Sequence, residues 1–211
     1  MARASAAGPG RARALIPQES SSADEVTDSV QARERILDAA EDLFAADGFD
    51  ATPTARIARR AVVAKGLLFY YFPRKMDLLR ALFAERLPTH SLFNLKGVAV
   101  QGDVAGSLVR MSDRIGLTGQ HWQVLSAILF REATTHPDVR DHLRILYSTL
   151  MELTESVLDA ASSRKLDHGR RTAAAGTFVA VLFHQANSNR FNGPAPDLDA
   201  TAHIVAGALE D

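Results

Sequence analysis

The sequence predicts an all-α protein, with an N-terminal helix-turn-helix of three helices followed by a larger C-terminal helical bundle. Two observations predict it. Apolar residues recur at three- and four-residue steps, as in Ile36, Leu37, Ala40, Leu43 and Phe44, which a 3.6-residue period places on one face. Glycines and prolines fall where such helices would stop and start: Gly48, Pro53, Pro73, Pro88, Gly116, Gly119, Pro137, Gly193 and the Pro194/Pro196 pair.

Residues 1–28 are rich in Ala, Gly, Pro, Arg and Ser and show no periodic apolar face, so they read as a flexible arm. Arg3, Arg11 and Arg13 on it suit either a nucleic-acid contact or a solvated tail. The first helix is predicted over 29–46, with Gly48 as a left-handed C-terminal cap. Thr52 then stands where its oxygen can accept from the free amides of a second helix, and Pro53 suits that helix's first position. The second helix is predicted over 53–60, with Ile57, Ala58 and Ala61 inward. Ala61-Val62-Val63 forms a turn, and a third helix follows over 64–72. On it Leu68, Tyr71 and Phe72 share an inward face against Leu37, Phe44 and Ile57. Lys65, Gly66, Leu67, Phe69 and Tyr70 remain outside, a face able to enter a DNA major groove. Pro73 ends the helix.

Helices are also predicted over 77–87 (Leu78, Leu79, Leu82 and Phe83 inward), 103–117, 120–135, 138–162, 168–190 and 198–209, with a loop over 94–102. The expected domains are a helix-turn-helix domain at 29–75 and a second domain at 76–211. Three amphipathic helices in an unrelated bundle would satisfy the periodicity of 29–75 equally well.

Composition narrows the function classes. With 211 residues and 46% hydrophobic content, one compact unit or two small ones sharing a core can form. The net charge of −1 removes any argument from bulk basicity. Residues 31–86 carry ten basic and eight acidic side chains, the only net-positive region, so binding to DNA would depend on where the cations sit. The absence of cysteine removes disulfides, thiolate catalysis and cysteine-ligated zinc. No apolar run approaches the roughly 20 residues that span a bilayer, and Ala2 to Gly10 lack the apolar core of a signal peptide, so a cytoplasmic protein is expected. The seven histidines contain no pair at i, i+4 spacing, and neither a phosphate-binding loop nor a nucleophile elbow is present. No enzyme, metal or cofactor is expected.

The block Arg35-Ile-Leu-Asp-Ala-Ala-Glu-Asp-Leu-Phe-Ala-Ala-Asp-Gly-Phe-Asp-Ala-Thr, then Ile57-Ala58, then Val63-Ala-Lys-Gly-Leu-Leu-Phe-Tyr-Tyr-Phe-Pro-Arg-Lys-Met-Asp-Leu-Leu, resembles the N-terminal domain of TetR-family (tetracycline-repressor-like) transcriptional regulators. The likeness covers about residues 33–83. It implies a homodimer that binds double-stranded operator DNA and is released by a small effector. It further implies that Thr52 and Lys75 contact phosphates, that Lys65, Gly66 and Leu67 meet base edges, and that Phe69 and Tyr70 lie against the backbone. Thr54 and Arg56 join that DNA-binding set, and Arg59, Arg60 and Arg74 are further cations. Departures from the family pattern are Val62 for a turn glycine, Ala64 for a capping serine, Leu67 for threonine or serine, Phe69 for tyrosine and Arg74 for serine. At Ala64, Leu67 and Phe69 three hydroxyls are thereby missing from the DNA face, and Val62 must take an ordinary negative φ or carry strain.

In the C-terminal half, Ile128 to Arg140 resembles the helix end and turn of the family's ligand domain. Candidate contacts for a small, largely apolar effector are Phe83, Met111, Trp122, Leu125, Leu129, Tyr147, Met151 and His184, with Arg131 or Glu132 if it is charged. Candidate dimer contacts are Phe178, Val181, Leu182, Gln185, Ile204, Val205 and Ala208. The resulting expectation is a ligand-released repressor. The alternative is a ligand-binding protein of the same fold with weakened or lost DNA binding.

Overall fold

The computed structural model describes residues 21–87, 97–116, 120–188 and 193–210, and within these the side chains of all but 21–26, 120 and 121. The expected arm contacts Arg3, Arg11 and Arg13 lie outside the described residues. Nine helices appear among the described residues: α1 Ser21–Asp47, α2 Thr54–Arg60, α3 Lys65–Tyr71, α4 Lys75–Arg86, α5 Val104–Ile115, α6 Gln120–Glu132, α7 Pro137–Ala161, α8 His168–Asn187 and α9 Leu198–Glu210. The all-α expectation holds. The first helix begins eight residues earlier than expected, so 21–28 are helical rather than part of an arm. Helical propensity does not require an apolar stripe, so a polar segment can continue the helix.

Two layers of packing position the site. α1 packs on α2, α3 and α4, while α5, α7, α8 and α9 pack on one another, and α6 bridges by touching α1, α4, α7 and α8. Buried apolar side chains from Ile36 to Leu209 form one continuous cluster. α4 is fixed to α1 electrostatically as well: Arg86 meets Glu34 at 3.1 Å, Asp38 at 2.7 Å and Glu41 at 2.8 Å. These acids sit at three- and four-residue steps, so one guanidinium spans two turns of α1. Arg33 adds a two-pronged pair to Glu85 at 2.8 and 2.5 Å.

The loop between α1 and α2 departs from the expected capping. Gly48 takes φ +91° as expected of a left-handed cap, and its N–H donates to Phe44 O at 3.0 Å. Thr52, however, turns back. Its hydroxyl donates to Gly48 O at 2.7 Å and Leu43 O at 3.3 Å, and the side chain is buried. Thr52 therefore closes the end of α1 and does not cap α2. Pro53 sits one position earlier than expected, as the N-cap with extended geometry.

At the far end of α2, Val62 has φ +55° and is 83% exposed. The cause is the way the helix ends: Val62 N–H donates to Arg59 O (3.2 Å) and Val63 N–H to Ala58 O (3.0 Å). This pair of bonds is a Schellman cap, whose left-handed position is ordinarily glycine. A β-branched residue there carries strain on the order of 1–3 kcal/mol, so of the two alternatives for Val62 the strained one is realised. Val62→Gly should raise the unfolding free energy by about 1 kcal/mol in urea titration, after part of the relief is offset by the freer unfolded chain.

Candidate nucleic-acid interface

α3 is seven residues long and presents two opposite faces. Leu68 is fully buried and Phe72, just past the helix, is 3% exposed. Tyr71 is half-buried, and its hydroxyl donates to Ser29 O of α1 at 3.0 Å. Lys65, Gly66, Leu67, Phe69 and Tyr70 are all exposed, Tyr70 to 77%. The Lys65 ammonium lies 5.7 Å from the Phe69 ring centroid, and the Tyr70 ring stands edge-on to Tyr71 at 5.2 Å. Gly66 has open space around it: a Cβ built there meets nothing within 4 Å. Packing inside the chain therefore gives no reason for glycine. A partner whose surface approaches the start of α3 would.

The cations around this face are deployed unequally. Arg56 pairs with Asp47 at 2.6 Å and Arg60 with Asp42 at 2.5 Å, both across to α1. Arg74 pairs with Asp77 at 3.2 Å, and its backbone N–H donates to the same carboxylate at 2.9 Å as α4 begins. Arg59 and Lys65 are exposed with no ion pair among the described residues. Thr54 is half-buried at the first position of α2. Sequence reasoning placed Arg59 only among general cations, because nothing in a sequence distinguishes a paired arginine from a free one.

Two expected phosphate contacts are placed otherwise. Thr52 is buried with its hydroxyl engaged on α1, so its side chain presents nothing to a phosphate. Lys75 donates to Asp50 O at 3.2 Å, with its ammonium 4.4 Å from the Phe49 ring centroid. Partial burial lowers the Lys75 pKa from its ordinary value, against the opposing pull of Asp50 and Glu132. The ammonium is a clamp on the α1–α2 loop in this structure.

A helix-turn-helix with this spacing and outward face has a known counterpart. Residues 36–82 match the family model for bacterial regulatory proteins of the tetR family. This part of the chain is a TetR-family helix-turn-helix domain. An uncharacterized HTH-type transcriptional regulator of Bacillus subtilis, YvkB, is 25% identical over 150 residues, which cover 71% of this chain and 78% of that protein. Among solved structures, Salmonella enterica GusR aligns over 89% of this chain and 100% of its own, with TM-score 0.65 and 22% identity. SmeT in complex with triclosan aligns over 84% of this chain and 90% of its own, with TM-score 0.65 and 18% identity. These two likenesses concern the fold. The chain thus resembles TetR-family transcriptional regulators, with a helical C-terminal part.

The sequence candidates in that part separate on burial. Phe83, Met111, Trp122, Leu125 and Leu129 are buried in the core, Met151 is half-buried, and Tyr147 and His184 are exposed. None of them lines either of two clefts beside α9. Tyr147 instead stacks edge-on against Phe183 at 5.8 Å, which meets Phe130 at 5.5 Å. Of the expected dimer contacts, Phe178, Leu182 and Val205 are buried within this chain's own core and offer nothing to a second copy. The stripe they occupy fills the α8–α9 seam. Val181 and Gln185 are half-buried, whereas Ile204 (72%) and Ala208 are exposed beside Ala173 and Thr177.

α3 starts without a capping side chain, since Ala64 is its N-cap in extended geometry. Ala64→Ser should therefore stabilise the domain by roughly 0.5–2 kcal/mol, measured as a shift of the denaturation midpoint at unchanged m-value.

Proposed function

We propose that the chain is a sequence-specific repressor that acts as a homodimer in the cytoplasm and leaves its operator when a small, largely apolar effector binds the C-terminal helices. The observation that carries this reading is the outward face of α3, where an open glycine lies between an unpaired lysine and large exposed side chains. Lys65, Gly66 and Leu67 would meet base edges, with Phe69 and Tyr70 against sugar and phosphate. Thr54, Arg56 and Arg59 would contribute phosphate contacts, Arg56 after exchanging Asp47 for DNA. The exposed strip of Ala173, Thr177, Ile204 and Ala208 supports pairing through α8 and α9, where small side chains allow close approach. A two-fold dimer sets its two α3 helices on half-sites about 34–36 Å apart.

Two unpaired buried atoms support an effector site in the bundle. Trp122 Nε1 and Gln185 Oε1 have no hydrogen-bond partner among the described residues, although buried polar atoms are ordinarily paired. A ligand offering an acceptor to the indole and a donor to the amide would satisfy them. SmeT, whose fold this chain shares, is in complex with triclosan, a precedent for a small organic ligand on this fold. An effector that favours a dimer with misplaced reading heads lowers operator affinity, and DNA then lowers effector affinity by the same factor.

The test is binding of duplexes from the region upstream of the chain's own gene, followed by fluorescence anisotropy. Lys65→Ala should cost about 1–3 kcal/mol on the preferred duplex and relax the sequence preference at the base pair it meets. Gly66→Leu, which nothing inside the chain opposes, should keep the melting temperature near wild type while lowering affinity by about tenfold or more, or about 1.4 kcal/mol. Wild-type affinity and sequence preference in both variants would favour a ligand-binding protein that does not use this face.

A further inference from the structure

We infer that Glu132 and Arg131, at the corner where α6 turns into α7, are positioning residues that set the spacing of the two reading heads; this rests on the DNA-binding reading above. Both were expected from the sequence to matter only for a charged ligand or as a helix ion pair. Instead they leave the C-terminal part and grip the loop that leads into α2.

The Glu132 side chain is buried, with the residue only 5% exposed. One of its oxygens accepts the Phe49 N–H at 3.0 Å and the Arg131 Nε–H at 3.0 Å. Its second oxygen lies 3.6 Å from His136 Nε2. Arg131 reaches further. Its Nη1 donates to Ala45 O at 3.3 Å and its Nη2 to Phe44 O. Those carbonyls belong to the last turn of α1, where Phe44 O also accepts the Gly48 N–H, and they carry the negative end of the helix dipole. A guanidinium from another part of the chain thus caps α1, while the neighbouring carboxylate holds the next exposed N–H of the loop.

The grip is closed from the sides. The Phe49 ring lies 5.2 Å from Phe44 and 4.9 Å edge-on from His136. His136 Nε2 lies 3.5 Å from Asp50 Oδ1, and Lys75 donates to Asp50 O. The start of α7 adds a second hold on α4, through Arg80 to Asp138 and through the Phe83 ring 5.9 Å from His142. Twelve residues around this corner therefore set how α1, α2 and α4 stand relative to the bundle. Along the same α6, Trp122, Leu125 and Leu129 are buried in the bundle core. A shift of α6 along its axis would be passed to the α1–α2 loop through hydrogen bonds to backbone atoms, which cannot slide as apolar contacts can.

A merely stabilising pair and a positioning pair differ in what they do to spacing. If the corner fixes each head on its bundle, a dimer accepts one half-site separation and rejects others. If the corner is released, the heads swing, the correct operator is bound more weakly and wrong separations are penalised less. Neither the α3 contacts nor the number of phosphates neutralised changes, so the salt slope stays the same.

The experiment uses the full chain. An operator is selected from random duplexes with the wild-type protein, and affinity is measured on that duplex and on versions with one or two base pairs inserted between half-sites. Wild type should lose about 100-fold on the two-base-pair insertion. Glu132→Ala should lose about tenfold on the parent operator, and its discrimination between spacings should fall to within about threefold at an unchanged salt slope. Glu132→Gln keeps an acceptor for the Phe49 N–H and should recover part of the discrimination. Arg131→Ala leaves that acceptor charged and supplies an independent variant if Glu132→Ala does not fold. Folded variants that keep wild-type discrimination would overturn the inference, as would a uniform loss on every spacing with a reduced salt slope. A wild-type protein that selects no duplex would instead overturn the DNA-binding reading on which the inference stands.

Discussion

The burial of Leu68 is the constraint on which the rest of the interface depends. A seven-residue helix has too few internal bonds to hold its own rotation, and the only fully buried side chain on α3 supplies the reference. Truncating such a side chain typically costs about 2–5 kcal/mol. With Leu68 turned into the cluster of Leu37, Phe44 and Ile57, the helical period leaves Lys65 through Leu67, Phe69 and Tyr70 on the far side. Phe72 beyond the helix, and the Tyr71 hydroxyl on Ser29 O, keep the rotation from drifting.

Around that fixed helix the connections are tense rather than relaxed. Neither α2 nor α3 has a side-chain cap at its start, and the turn between them holds a valine at positive φ. Stability comes from elsewhere: from the buried face, from Thr52 closing the end of α1, and from Arg86 and Arg33 binding α4 to α1. Arg56 and Arg60 near the reading face are already matched by α1 acids, and Arg74 by Asp77 of α4. Binding to DNA on this arrangement requires exchange of one set of charge partners for another, so the net attraction stays modest and specificity falls to shape and to the few free groups.

How much of this was readable from the residues varies with the kind of signal. The faces of α1, α3 and α4 followed from periodicity, because a side chain's burial on an amphipathic helix depends mainly on its position in the turn. Thr52 was misassigned since a hydroxyl both donates and accepts, and the sequence does not say toward which helix it turns. Residues 21–28 looked arm-like because polar residues form helices without leaving an apolar stripe. Phe178, Leu182 and Val205 were read as surface for pairing, yet α8 and α9 are apolar or small on several faces and only packing decides which face is covered. Arg131 and Glu132 were least readable: adjacent opposite charges at a helix end ordinarily sit in solvent, and their partners lie more than eighty residues away.

The most direct measurement is backbone amide exchange of the protein with and without a bound duplex. The account predicts new protection concentrated in residues 64–70, with smaller changes in 54–60. Protection that leaves 64–70 at their free rates while appearing on another surface would contradict it.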